Sequence, residues 1–291
     1  MWGAIAGATA ASLLIGLSGA VAADAALHPL RRKAPSNCPL LPGTDCASVS
    51  VTAADAVHLE SWYFRPRDGW NGSAVLLLHG VGDWRGSMSG AASMLARNGY
   101  SVLAPDLRGH GESGGICTYG VRETLDVRAW TSWLAEHRQV SRIYGLGESL
   151  GAAVLIEALP VEPRLRAIVA ESAYSSFPEI AAERTNRVAP VWVHWATAPF
   201  VAAGLARAKY GYGVDLRSAS PLEALERSRR PVLLIHGIED RETSPENSVR
   251  LASANPRDTR LWLVPGAGHT LAWQAAGPEF ERRVTEWFQS H

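Results

Sequence analysis

The stretch GLGESLG, residues 145–151, constrains this chain more than any other. A short apolar run enters it and a segment with helical spacing, 150–158, leaves it, so Gly147, Ser149 and Gly151 form G-x-S-x-G at a strand-to-helix junction. Only small neighbours let the backbone pass that closely through so sharp a turn, and the turn lifts the serine clear of the strand. The chain must therefore set the end of a buried strand against the start of a helix.

The rest of the body repeats that arrangement. AVLLLHG (74–80), YSVLAPD (100–106), LRAIVAES (165–172), PVLLIHG (231–237) and TRLWLVPG (259–266) are short continuous apolar runs, as strands covered on both faces require. Helical spacing recurs at 86–97, 123–137 and 279–288, and two extended runs flanking AADA near residue 54 predict a hairpin. Alternating strands and helices predict an α/β fold with a mostly parallel sheet, helices on both faces and chemistry at the strand C-termini. The alternation stops between Ala173 and Ser220, where Phe177, Trp192, Trp195, Phe200, Tyr210 and Tyr212 predict a short helical cap.

A serine hydroxyl is a poor nucleophile until a base takes its proton, and the base needs an acid to orient it. Asp240 follows the run PVLLIHG and His269 follows TRLWLVPG, so Ser149, Asp240 and His269 occur in the order that this kind of sheet uses. The amide of Leu150, at a helix N-terminus, is placed to hold an oxyanion.

With LLLHGVGD (76–83), APDLRGHGES (104–113), GLGESLG, Asp240 and GAGH ending at His269, the chain from about residue 47 onward resembles the α/β-hydrolase superfamily. The resemblance implies the α/β-hydrolase fold and a serine hydrolase that needs neither metal nor organic cofactor, and carries the second oxyanion amide over to Val81. More narrowly, the chain is similar to membrane-anchored α/β-hydrolase domain proteins and to serine aminopeptidase-like bacterial hydrolases.

Other polar residues have structural readings. His79, His110 and His236 read as hydrogen-bonded core histidines. Asp106 and Arg108 read as loop-ordering residues. Glu239 and Glu171 are lesser alternatives for the acid, Cys117 reads as an inert thiol, and Glu148 is expected to point away from the nucleophile.

Trp2 to Ala23 carry no charge, and at about 1.5 Å per residue they are long enough for a bilayer core of about 30 Å. Residues 1–27 therefore read as a transmembrane anchor, with cleavage as a signal, after Ala20, Val21 and Ala22, as the alternative. Arg31, Arg32 and Lys33 would hold the following domain on the cytoplasmic side of an anchor. Residues 28–46, rich in proline, read as a linker to a hydrolase domain at 47–291; Cys38 and Cys46 there are either bridged or two unpaired thiols.

The chain has 28 basic and 28 acidic side chains, and this balance excludes a counterion-displacing nucleic-acid surface. It also offers no field to steer a strongly charged substrate. The expectation is a serine hydrolase of a neutral or apolar, lipid-like ester, associated with a membrane. An amidase or aminopeptidase with the same triad is the nearest alternative, marked by an acidic pocket for an amine; a non-catalytic binding protein on the same fold is the other.

Overall fold

A computed structural model describes residues 2–32 and 37–291. In chain order the elements are α1 (Trp2–Leu27), β1 (Thr44–Thr52), β2 (His58–Pro66), β3 (Ser73–Leu78), α2 (Ser89–Arg97), β4 (Ser101–Pro105), α3 (Glu123–His137), β5 (Arg142–Glu148), α4 (Leu150–Ala158) and β6 (Leu165–Glu171). They continue as α5 (Phe177–Val188), α6 (Thr197–Tyr212), α7 (Pro221–Arg227), β7 (Val232–Gly237), α8 (Glu246–Ala254), β8 (Thr259–Val264) and α9 (Ala272–Gln289).

Among the described residues, eight strands form one sheet in the order β1-β2-β4-β3-β5-β6-β7-β8. The hairpin makes β1 and β2 antiparallel, and β2 also runs antiparallel to β4. From β4 to β8 every pairing is parallel, because a helix returns the chain between successive strands. The wholly apolar runs become the strands covered on both faces: every residue of β3, β4 and β7 is buried.

Alternate side chains of the sheet feed two cores. One face packs on α3, α4 and α7 through Leu76, Leu103, Trp130 and Leu155, the other on α2 and α9 through Val75, Val102, Leu95 and Val284. In the second core Phe288 stacks on Tyr144 at 4.8 Å and meets Tyr100 edge-on at 5.8 Å. Fully burying a side chain of this kind contributes about 1.5–3 kcal/mol.

The cap expected at 173–220 is helical, built from α5, α6 and the 3₁₀ turn Val191–Ala196 between them. Its aromatic residues do not all face inward. Trp192 and Trp195 are 77% and 69% exposed, because the turn that carries them buries none of its residues.

The expectation of a membrane-spanning anchor meets a different structure. Residues 2–27 are helical as α1, but among the described residues no helix is long and apolar enough to cross a membrane. Ala and Gly dominate α1, and its second half docks on α6. Asp24 pairs with Arg207 of α6 at 3.0 Å, Tyr119 donates to the Ala26 carbonyl at 3.2 Å, and the Cys117 amide donates to that of Leu27 at 3.0 Å. A Cβ at Gly19 would fall 2.4 Å from the carbonyl oxygen of Phe200, so α1 and α6 meet at backbone distance. Cys38 and Cys46 are joined in a disulfide, Cα atoms 6.0 Å apart, that ties the incoming segment to β1. That strand begins at Thr44, three residues before the expected domain boundary.

Candidate active site

Ser149 sits between the last residue of β5 and the first of α4, at φ 51° and ψ −111°. A non-glycine residue in such a region costs on the order of 1–3 kcal/mol and persists only where its surroundings impose it. Here its amide donates to the Glu171 carbonyl at 2.8 Å, and its own carbonyl accepts from the Ala153 amide at 3.1 Å. The two motif glycines make the turn possible. A Cβ on Gly147 would lie 2.5 Å from the backbone of Gly151, and one on Gly151 would lie 2.3 Å from the Leu78 carbonyl oxygen.

His269 lies between β8 and α9, and its Nδ1 donates to Oδ2 of Asp240 at 2.7 Å. The other carboxylate oxygen, Oδ1, accepts from the amides of Glu242 and Thr243 at 2.8 and 2.9 Å. Burial alone would raise the pKa of Asp240. Hydrogen bonds from His236, His269 and the Thr243 amide outweigh it and hold the carboxylate well below its usual range. Asp240 is thus an anion that fixes the Nδ1–H tautomer of His269 and leaves Nε2 free to accept a proton. Glu239, by contrast, is exposed.

Ser149, His269 and Val81 line one cavity of about 150 Å³. Ser149 is only 4% exposed and therefore sits within this narrow cavity instead of standing open above the sheet. Leu150 opens α4, whose first-turn amides have no partners within the helix. The end of β3 comes equally near: a Cβ at Gly80 would be 3.5 Å from that of Ser149. The structure thus brings all five sequence-predicted site residues to one place.

Several residues behave as the sequence suggested. His79 donates from Nδ1 to the Gly80 carbonyl at 2.7 Å and accepts the Leu107 amide at Nε2 at 3.0 Å, and burial pushes its pKa down to about 4. Burial does the same to His110, which donates to the Arg108 carbonyl at 3.0 Å. Asp106 binds Arg85, and Arg108 binds Asp126 and Asp55. Burial raises the Cys117 thiol well above its ordinary pKa and keeps it protonated.

Three features were not foreseen. Glu148 does not turn away from the site; it lines the cavity, together with Asp83, Glu242 and Arg184. Burial, the neighbouring Glu171 and Asp83 together push its pKa upward. Glu171, at the end of β6 beside Glu148, is raised chiefly by burial and accepts the Ala272 amide at 2.9 Å. His236 is more than a core histidine. Its Nε2 lies 3.0 Å from the Thr243 carbonyl and 3.2 Å from Asp240 Oδ2, while Nδ1 accepts from the Ser248 hydroxyl at 2.6 Å. Its spacing of four residues from Asp240 was the one signal available in the sequence.

The model of the alpha/beta hydrolase family matches residues 75–283. The chain is an α/β hydrolase. An uncharacterised protein of Mycobacterium tuberculosis is 33% identical over 239 residues, which cover 81% of this hydrolase and 75% of the relative. The Bacillus subtilis protein YqkD is 24% identical over 251 residues, 82% of this hydrolase and 78% of the relative. Among solved structures, the Pyrococcus furiosus esterase Pf2001 is similar at a TM-score of 0.74 and 27% identity, covering 91% of this hydrolase and 97% of the esterase.

Proposed function

We propose that the protein is a serine hydrolase that cleaves a carboxylic ester by acyl transfer. The carrying observation is the 2.7 Å bond from His269 to a buried Asp240, with His269 and the strained Ser149 lining one cavity. The likeness to an esterase supports the choice of an ester bond.

In this mechanism His269 Nε2 takes the Ser149 proton as Oγ attacks the carbonyl carbon, and Asp240 stabilises the resulting imidazolium. The amides of Val81 and Leu150 hold the oxyanion, with the α4 dipole favouring its charge. The imidazolium then protonates the leaving alcohol, and water deacylates the enzyme by the same route.

Fluorophosphonate labelling tests the assignment. The parent protein is expected to label and to hydrolyse p-nitrophenyl esters, and Ser149→Ala to do neither; labelling that survives the substitution would remove Ser149 from the mechanism. A second reading, hydrolysis of amides with a free amine, draws on Asp83 and Glu242 around the cavity, carboxyl groups the sequence did not place there. Turnover of aminoacyl p-nitroanilides in preference to esters would establish it.

The protein is further proposed to lie on a membrane surface without spanning it. Leu14 of α1, with Val188 and Trp195 of the cap, lines one apolar groove, and their chain neighbours Leu13, Leu17, Val191 and Trp192 are exposed. Tryptophans rimming an apolar surface suit the headgroup boundary.

A further inference from the structure

A second cavity, of about 210 Å³, lies between α1, α5 and α6. Its walls are mostly apolar: Ile180 and Ala181 from α5, Phe200 from α6, and Ala22, Ala23 and Ala26 from α1 all line it. Arg184 of α5 lines this cavity and also the one that holds Ser149 and His269, so the two spaces adjoin at that residue.

The sequence of α1 keeps this space open. Gly19, Ala22, Ala23 and Ala26 recur at helical spacing and share one face. Gly19 allows α1 and α6 to touch, and the alanines beyond it are too small to fill the volume that the crossing leaves. Protein interiors are otherwise packed closely, so an apolar cavity adjoining the one that holds Ser149 is a place for an apolar ligand.

We propose that this cavity receives the aliphatic acyl chain of the ester, so that the N-terminal helix is a wall of the substrate site. The proposal rests on the ester-hydrolase reading above. A chain entering past Arg184 leaves its carbonyl at Ser149 and lays its methylenes against α1. Short acyl groups react without entering the cavity and gain nothing from it.

Full-length parent, Ala181→Phe and Ala22→Phe are compared on p-nitrophenyl acetate and octanoate, with fluorophosphonate labelling of Ser149 and near-UV circular dichroism as controls for the site and the fold. Ala181→Phe fills the cavity from α5, and Ala22→Phe fills it from an exposed position on α1. The parent is expected to favour octanoate. Each folded variant is expected to lose kcat/KM for octanoate on the order of tenfold while acetate changes by less than about twofold. A labelled parent that favours acetate, or folded variants with an unchanged octanoate-to-acetate ratio, overturns the acyl pocket and leaves the hydrolase reading in place. A folded parent that neither labels nor cleaves either ester overturns both.

Discussion

His236 and Asp240, four residues apart at the C-terminal end of β7, are in contact: Nε2 of the histidine lies 3.2 Å from Oδ2 of the carboxylate. Both side chains are fully buried, and the same oxygen accepts from His269. In the proposed mechanism His236 is therefore a positioning residue for Asp240. His236→Ala is expected to lower kcat on the order of tenfold with little change in KM, the loss expected for one hydrogen bond to a charged group. His236→Gln, which restores a donor, should recover part of that loss. Equal kcat in all three proteins would show that Asp240 needs no second histidine.

Gly151→Ala tests the closeness of the elbow. The added methyl would meet the Leu78 carbonyl oxygen at 2.3 Å, and the backbone of β3 has nothing flexible to give way. Destabilisation of about 2 kcal/mol or more is expected in urea unfolding, typical of overpacking in a core. A parent-like midpoint would mean that β3 and α4 are further apart than described.

Glu148 sets a pH dependence of stability. Its pKa is raised in the folded protein from the usual 4.5, so the folded state keeps a proton that the unfolded chain has released. Stability is then fully present below about pH 4.5 and declines as pH rises toward the folded value. Glu148→Gln removes that decline. It should match the parent near pH 4 and exceed it by on the order of 1 kcal/mol at pH 9; parallel curves across this range would place Glu148 in water.

Exposure of the cap tryptophans predicts surface binding. Trp192→Ala with Trp195→Ala should reduce co-sedimentation with phosphatidylcholine vesicles several-fold while leaving acetate hydrolysis unchanged, since neither residue lines the catalytic cavity. Identical sedimentation of parent and variant would sink the membrane-surface reading.

Local chemistry made much of the site legible from the sequence. Gly147 and Gly151 mark the elbow because any side chain there strikes backbone, and the apolar runs before Asp240 and His269 mark strand ends. The alternation of those runs with helical segments also determined a parallel sheet, since each run must be covered on both faces, and its break between Ala173 and Ser220 marked the helical cap. Tertiary structure alone decided the rest. Glu148 faces the cavity because of how the strand end turns into the elbow. His236 acts on Asp240 because the turn after β7 folds the carboxylate back toward the strand end that carries the histidine. For α1, uncharged residues were compatible with a bilayer, a core or a docking groove. Gly19 meeting the Phe200 carbonyl, and Asp24 meeting Arg207, selected the docking groove, and such contacts between residues nearly two hundred positions apart leave no periodicity in the chain.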